Sequence, residues 1–408
     1  MQQYFFVLGR NPEISIAEIK AVFRLQSLPC KVLQTSETIL RVESNPDLNI
    51  PQLNSMLGGT VKIGKVIESL PLDSIEDIEK LFTLEVLQNG FIDPELTKIE
   101  FGVSIYSCNG AEAEVKRMFA KHETLIRAIK DELEIYRIKA HFPQMREKVL
   151  SSASVEKNRL IRKGAEIVCI ITHNALIIGK TLVVQEFESF SKRDFGRPVR
   201  DMKSGVMPPK LARMMINLAE KNTSKVILDP FCGSGTILQE ALELGFRDII
   251  GTDLADKAIT DTRNNISWYT NRFKVEDAEI RIEKADVTKL SSIIKDSSVD
   301  AIVTEPYLGP TLRNFPQLNL VQNTIQELSV LYRRAFQEFG KVLTNKGTVI
   351  IILPVFNVRR HLVHMDILEK LDRYGLSQEP LSASPRRTIV VGNSRDYVLR
   401  EVVKLVRV

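Results

Sequence analysis

From about residue 225 to the last residue, short runs of β-branched residues alternate with helical stretches, and this alternation constrains the fold most. Such alternation is typical of a parallel sheet covered by helices. We therefore predict a doubly wound α/β domain over 225–408. Its strands are expected at Lys225–Asp229, Asp248–Asp253, Glu279–Ala285, Val299–Glu305 and Thr348–Leu353, and its helices from Gly235 and over Ala255–Tyr269, Leu320–Phe339 and Leu362–Tyr374.

The last strands of the predicted sheet are expected to be antiparallel, unlike the parallel strands before them. Two further strand-like runs, Thr388–Val391 and Tyr397–Val406, are joined by Gly392-Asn393-Ser394-Arg395, which has the composition of a hairpin turn. The predicted domain is thus a parallel sheet that closes on an antiparallel hairpin.

The N-terminal half has an α+β pattern in which no chemistry is visible. A basic amphipathic helix is expected around 115–133. We predict an α+β subdomain over 1–60, a second domain over 61–190, a linker with a helix over 191–224 and the α/β domain over 225–408. The other elements expected in this half are strands at Tyr4–Leu8, Lys31–Gln34, Thr38–Glu43, Glu166–Thr172 and Ala175–Val184, and helices at Ile14–Leu25 and Pro51–Leu57.

Bulk properties exclude several classes of protein. A chain of 408 residues is long enough for more than one core. It contains no apolar run of membrane-spanning length, and its four cysteines lie far apart, so we expect a cytoplasmic protein without a membrane segment or a disulfide framework. The net charge of +5 decides nothing about partners. The basic segment 192–213 fits either RNA contact or a solvated linker.

A glycine-containing loop carries the strongest chemical signal. Residues Asp229–Thr236 read Asp-Pro-Phe-Cys-Gly-Ser-Gly-Thr and connect a predicted strand to a predicted helix. Two glycines at such a turn let the backbone approach a ligand closely, and the first turn of the helix directs N–H groups toward it. The loop lacks the Lys-Ser/Thr pair of a phosphate loop.

Two acidic residues end the next two predicted strands. Asp253, in Gly251-Thr252-Asp253, lies where the ribose hydroxyls of a nucleotide would bind in this topology, although it could instead cap the following helix. Asp286, in Ala285-Asp286-Val287-Thr288, could accept a hydrogen bond from an adenine amino group or serve as an N-cap.

Together these motifs resemble the cofactor half of class I methyltransferases that modify exocyclic amines of nucleic acids. The stretch 207–219, Met-Pro-Pro-Lys-Leu-Ala-Arg-Met-Met-Ile-Asn-Leu-Ala, and the N-terminal runs 4–10 and 101–106 are similar to THUMP-containing tRNA guanosine N2-methyltransferases. The resemblance implies a Rossmann-like sheet ending in an antiparallel hairpin, S-adenosylmethionine as cofactor, and a THUMP-like N-terminal region that binds tRNA. The residues expected to bind the cofactor are Asp229, Pro230, Phe231, Gly233, Ser234, Gly235, Thr236, Asp253, Asp286 and Pro208.

The catalytic motif departs from the pattern of that family. The family has Asp-Pro-Pro-Tyr or a close variant, whereas this chain has Thr304-Glu305-Pro306-Tyr307. In one register Glu305 accepts a hydrogen bond from the target amine and Tyr307 stacks on the extruded base. In the other register Thr304 takes the position of the acid. We favour the first, with Glu305, Pro306 and Tyr307 as the catalytic residues.

Other chemistries have little support in the sequence. His361 and His364 are expected to share a helix face at i, i+3 spacing and could ligate a metal, but no third ligand accompanies them, so no metal site is predicted. Ser234 has no base in a plausible relation to it.

The sequence therefore predicts a tRNA guanine-N2 methyltransferase. A DNA adenine or cytosine amino-methyltransferase and a catalytically weakened RNA-binding module remain as alternatives. The need for a small activating partner protein and the oligomeric state stay open.

Overall fold

The computed structural model describes residues 1–93, 95–108, 110–143, 147–200, 207–312 and 314–408. It divides into two compact units. The N-terminal unit comprises Met1–Pro12, Ser27–Ser55 and Gly59–Glu186, and the C-terminal unit comprises Glu13–Gln26, Met56–Gly58 and Phe187–Val408. The helices of the described chain are α1 (Pro12–Leu25), α2 (Ile50–Met56), α3 (Leu84–Gly90), α4 (Glu112–Ala120), α5 (His122–Ile135), α6 (Ser152–Lys157), α7 (Leu160–Lys163), α8 (Phe187–Phe195), α9 (Pro209–Leu218), α10 (Thr236–Glu243), α11 (Asp256–Phe273) and α12 (Leu318–Val342).

One sheet of eight strands organises the N-terminal unit, in the order β2-β3-β1-β4-β8-β7-β5-β6. Strands from both sides of residue 60 share this sheet, and the division of the chain predicted at 60, 190 and 224 stays a prediction. All eight residues of β7 are buried, as expected of a central strand with a continuous apolar run. The strands are β1 (Gln2–Leu8), β2 (Lys31–Thr35), β3 (Ile39–Ser44), β4 (Thr60–Pro71), β5 (Lys98–Ser107), β6 (Lys139–His141), β7 (Gly164–Ile171) and β8 (Ala175–Val184).

The C-terminal unit is a doubly wound sheet of nine strands, which confirms the predicted fold class. Its main order is β11-β10-β9-β12-β13-β17-β15. Pairs from β11 to β13 are parallel, whereas β17 lies antiparallel between β13 and β15. The strands are β9 (Ile227–Asp229), β10 (Asp248–Asp253), β11 (Glu279–Lys284), β12 (Val299–Thr304), β13 (Leu343–Val358), β14 (His361–Val363), β15 (Leu376–Glu379), β16 (Ile389–Val391) and β17 (Val398–Arg407).

Helix α1 packs in the core of the C-terminal unit although it lies near the start of the chain. Its Ile14 is fully buried in the same hydrophobic cluster as residues of α9, α10 and α11. The buried carboxylate of Glu18 accepts hydrogen bonds from Asn217 Nδ2 at 2.7 Å and from Gly58 N at 2.8 Å. Burial of Ile14 alone contributes roughly 1.5–3 kcal/mol. The C-terminal unit therefore needs residues from both ends of the sequence.

Two predicted helices differ from the structure. The helix predicted at Leu362–Tyr374 is wrong, because His361–Val363 pairs with Phe356–Val358 as strand β14 and only Leu371–Tyr374 is helical, as a 3-10 turn. The basic helix predicted around 115–133 is divided at Lys121 into α4 and α5. No helix among the described residues is both long and apolar enough to cross a membrane.

Candidate active site

A cavity of about 770 Å³ lies at the carboxyl ends of the parallel strands in the C-terminal unit. Ligands bind at this edge in open α/β sheets, and the volume suits a molecule of nucleotide size. Of the predicted site residues, the cavity lining includes Asp229, Pro230, Phe231, Gly233, Ser234, Thr236, Asp253, Asp286, Glu305, Pro306 and Tyr307.

The glycine loop adopts the backbone conformation that its sequence predicts. Gly233 and Gly235 have φ angles of +53° and +83°, in the left-handed region that favours glycine. A Cβ atom at Gly235 would also lie 3.1 Å from Thr262 Cγ2. Gly235 is the N-cap of α10, so the first turn of that helix begins beside the cavity.

Asp229 is a buried carboxyl group in the cavity wall. Its Oδ1 accepts hydrogen bonds from Thr304 Oγ1 at 2.7 Å and from Phe231 N at 3.2 Å. Burial raises the pKa of Asp229 to about 7, and the charges of Asp253 and Glu305 act in the same direction. A cation placed beside this group would favour its ionised form.

Asp253 connects the end of β10 to two neighbouring segments. Its Oδ2 accepts a hydrogen bond from Gly233 N at 3.1 Å, and its Oδ1 accepts one from Ala255 N at 2.9 Å. Ala255, and not Asp253, is the N-cap of α11. Asp253 therefore supports the glycine loop while it lines the cavity.

Asp286 is an N-cap, which is one of the two roles that the sequence leaves open. It precedes the 3-10 helix Val287–Ser292, and its Oδ1 accepts hydrogen bonds from Thr288 N at 2.9 Å and Thr288 Oγ1 at 2.8 Å. These bonds lower the pKa of Asp286. Because the residue also lines the cavity, contact with a ligand's amino group stays a prediction.

The two registers of the catalytic motif place different side chains at the cavity. Thr304 is fully buried and donates its hydroxyl hydrogen bond to Asp229, whereas Glu305 lines the cavity. Glu305 Oε1 accepts a hydrogen bond from Arg400 Nε at 2.5 Å. Tyr307 is 58% exposed, and its carbonyl oxygen accepts a hydrogen bond from Tyr332 Oη at 2.6 Å. Glu305 therefore lines the cavity and Thr304 does not, and the catalytic role of Glu305 stays a prediction.

Sequence reasoning missed several cavity residues and included two that lie outside the lining. Pro208 is the exposed N-cap of α9, while its neighbour Met207 lines the cavity. Gly235 acts through the loop conformation and does not itself line the cavity. Arg400, on β17, gave no signal because it lies 95 residues beyond Glu305.

The basic segment 192–213 has a structural role that the sequence did not predict. Arg193 and Arg213 are buried, and both pair with the buried carboxylate of Glu240. Arg197 is also buried and donates a hydrogen bond from Nη1 to Thr236 Oγ1 at 2.6 Å. These three arginines cannot contact RNA as a solvated patch would. Residues 201–206 of the segment lie outside the described part of the chain.

The histidine pair does not lie on a helix. His361 is on β14, and His364 Nδ1 lies 3.2 Å from Glu401 Oε2. Within the described ranges, no group of three or more His, Cys, Asp or Glu side chains could hold a metal ion.

Two family models match overlapping parts of the chain. Residues 197–362 match the model described as the RMKL-like methyltransferase domain, and residues 118–264 match a model described as a DNA methylase. The first match contains the glycine loop, Asp253, Asp286 and Glu305.

Two archaeal relatives are similar over part of the chain. A tRNA (guanine(10)-N2)-dimethyltransferase of Methanocaldococcus jannaschii is 31% identical over 164 residues, which are 39% of this chain and 44% of that protein. The protein of the same name from Methanothermobacter thermautotrophicus is 36% identical over 141 residues, which are 34% of this chain and 38% of that protein. The matched segments span less than half of either relative.

Among solved structures, TrmN from Thermus thermophilus covers the whole of both chains with a TM-score of 0.54 at 15% sequence identity. Identity this low shows the fold alone. The C-terminal unit therefore has the class I methyltransferase fold, and residues 197–362 are similar to the RMKL-like methyltransferase domain.

Proposed function

We propose that this protein transfers a methyl group from S-adenosylmethionine to the exocyclic N2 amine of a guanosine in tRNA. The observation that carries the proposal is the convergence of the glycine loop, Asp229, Asp253 and Glu305 on one cavity. The similarity of part of the chain to archaeal tRNA guanine-N2 dimethyltransferases supports guanine in tRNA as the substrate.

The cavity residues fit the proposed cofactor. S-adenosylmethionine, when bound, supplies an electrophilic methyl group on a positively charged sulfur. The glycine loop allows close backbone approach, and Asp229 can become ionised beside a cationic group. Asp253, at the end of β10, lies where ribose hydroxyls bind in this topology.

Glu305 would act on the amine and not on the cofactor. Its Oε1 is engaged by Arg400, and Oε2 can accept a hydrogen bond from the N2 amine, which orients the nitrogen lone pair toward the methyl group. With the cofactor bound, the nitrogen would form the new N–C bond as the methyl–sulfur bond breaks and S-adenosylhomocysteine leaves, and the Glu305 carboxylate would accept the proton that the nitrogen releases. Tyr307, exposed at the cavity, offers a ring on which the extruded base can stack.

Single-turnover rates of four variants test this assignment at saturating cofactor and tRNA. We expect Glu305→Ala and Tyr307→Ala to slow methyl transfer by roughly 10²-fold or more while S-adenosylhomocysteine affinity changes little. Glu305→Gln should keep part of the activity, because its amide oxygen still accepts a hydrogen bond. In the other register Thr304→Val would be the damaging change and Glu305→Ala would be tolerated.

The N-terminal unit is the proposed tRNA-binding region. Lys116 and Lys148 are exposed and line one recess of about 430 Å³ in this unit. Two cations at one recess can engage neighbouring phosphates. Removal of the N-terminal half is a poor test, because a chain that starts near Met207 would lack α1 and therefore Ile14 and Glu18 of the C-terminal core. Charge reversal of the two lysines in the full chain avoids this problem.

A DNA amino-methyltransferase is the second candidate, because the DNA methylase model matches residues 118–264. That match ends before Glu305 and includes part of the N-terminal unit. Parallel assays with radiolabelled cofactor on total tRNA and on DNA separate the two candidates. Retention of tRNA without labelling of either nucleic acid would favour the RNA-binding module.

A further inference from the structure

Arg400 is the charged partner of Glu305, and both side chains line the same cavity. Arg400 lies on β17 and donates a hydrogen bond from Nε to Glu305 Oε1 at 2.5 Å. The two side chains are 30% and 16% exposed, so water only partly screens the pair. Within the described residues, Arg400 is the only cation that pairs with Glu305.

The sheet topology explains why this contact requires two long side chains. Strand β13 lies between β12, which ends at Thr304, and β17. Two strand spacings separate the outer strands by roughly 9.5 Å. A glutamate at position 305 reaches further toward β17 than the aspartate of the family pattern would. Its additional rotatable bond also gives a free carboxylate more conformations, which a planar guanidinium partner restricts.

Most charged groups that line the cavity are acidic, so the positive charge of Arg400 offsets part of their mutual repulsion. Burial is the main cause of the raised pKa of Asp229 and of Tyr332, and the charge of Glu305 adds to both shifts. Glu305 is thus close to an acidic group and to a buried phenol. The other charged groups of the cavity lining are Asp253, Lys257, Asp261, Asp286 and Arg400.

We propose that Arg400 is a positioning residue that fixes the Glu305 carboxylate and directs its second oxygen toward the substrate amine. The inference rests on the proposed function, because Glu305 is the residue that acts on the amine. Arg400 engages Oε1 alone, so Oε2 keeps its capacity to accept a hydrogen bond. In this way β17 compensates for the altered motif after β12.

The test compares Arg400→Met and Arg400→Lys with the wild type in single-turnover methyl transfer to tRNA at saturating cofactor and tRNA. Arg400→Met should lower the rate roughly tenfold or more and leave the affinity for S-adenosylhomocysteine nearly unchanged, because Arg400 acts through the residue that faces the amine. Arg400→Lys should recover part of the rate, because it retains a cationic donor. Arg395→Met is the matched control, since it removes an exposed arginine from the preceding turn and should leave the rate in place.

A double-mutant cycle with Glu305→Gln shows whether Arg400 acts through Glu305. The proposal predicts that Arg400→Met has little further effect on the rate in the Glu305→Gln background. An equal loss in both backgrounds, or no recovery of the rate in Arg400→Lys, would overturn it. The same cycle measured by urea unfolding needs no substrate. If the wild type methylates no nucleic acid, the proposed function and the role of Arg400 in it both fail. If the two substitutions change the free energy of unfolding additively, the ion pair between Arg400 and Glu305 is overturned.

Discussion

The affinity for S-adenosylhomocysteine should rise with pH between 5.5 and 7.5, because Asp229 must lose a proton to face the cationic amino group of the ligand. Burial raises the pKa of Asp229 to about 7, so the ligand-free protein is mostly protonated at this site at pH 5.5. The ligand binds the ionised form, and the dissociation constant should therefore fall roughly twentyfold between pH 5.5 and pH 7.5.

Isothermal titration calorimetry in two buffers of different ionisation enthalpy measures both the affinity and the protons released. The wild type should release close to one proton at pH 5.5 and fewer at pH 7.5. Asp229→Asn is the matched control, because it keeps the shape of the side chain and an oxygen that Thr304 Oγ1 and Phe231 N can reach. This variant should bind more weakly at pH 7.5 and show little dependence on pH.

As the pH rises, the ionisation of Asp229 should strengthen ligand binding but weaken the stability of the folded protein. A carboxyl group whose pKa is raised in the folded state favours folding at low pH, and this contribution is lost as the pH rises toward 7. The ligand-free wild type should therefore lose stability relative to Asp229→Asn over this range. An affinity that stays constant within twofold from pH 5.5 to 7.5, or an equal slope in Asp229→Asn, would show that Asp229 does not lose a proton when the ligand binds.

Three further predictions concern other parts of the molecule. Asp253→Ala should weaken S-adenosylhomocysteine binding by roughly 1.5–3 kcal/mol in calorimetry, because it removes a charged hydrogen-bond acceptor beside the glycine loop; unchanged affinity would contradict the assignment. Although burial opposes it, hydrogen bonds from His364, Arg386 and Thr388 hold the pKa of Glu401 at about 2. Glu401→Gln should therefore cost roughly 3 kcal/mol of unfolding free energy at pH 7, and the difference from wild type should shrink as the pH falls from 4.5 toward 2, measured by urea unfolding. Reversal of Lys116 and Lys148 to glutamate should weaken tRNA binding and reduce its salt dependence, whereas Lys157→Glu in the same unit should do neither.

Local sequence patterns predicted the main strands of the C-terminal sheet because most of them, such as β10 and β12, contain a short apolar run, whereas the short strands β14 and β15 were not predicted. Strand β10 has the predicted bounds, Asp248–Asp253, and the final strands pair antiparallel as the hairpin predicted. The glycine loop was also predictable, since positive φ angles at a strand-to-helix turn favour glycine.

Long-range packing decided the features that the sequence did not reveal. The apolar residues of 362–374 have helical spacing, but pairing with the end of β13 makes 361–363 a strand, and Met365 and Ile367 are buried in the core of the C-terminal unit. The sequence places Arg193 in a basic segment that could be solvated. In the structure Arg193 is buried and pairs with Glu240, which lies 47 residues later in the chain. The pairing of Arg400 with Glu305 is of the same kind.

Nucleoside analysis is the decisive assay for the proposed transfer of a methyl group to guanine N2 in tRNA. Unmodified tRNA is incubated with the protein and isotope-labelled S-adenosylmethionine, digested to nucleosides and analysed by mass spectrometry, with Glu305→Ala as the control. We expect label in N2-methylguanosine or N2,N2-dimethylguanosine with the wild type and little with the variant. Label in methylated adenosine or cytidine, or only in DNA offered in parallel, would contradict it.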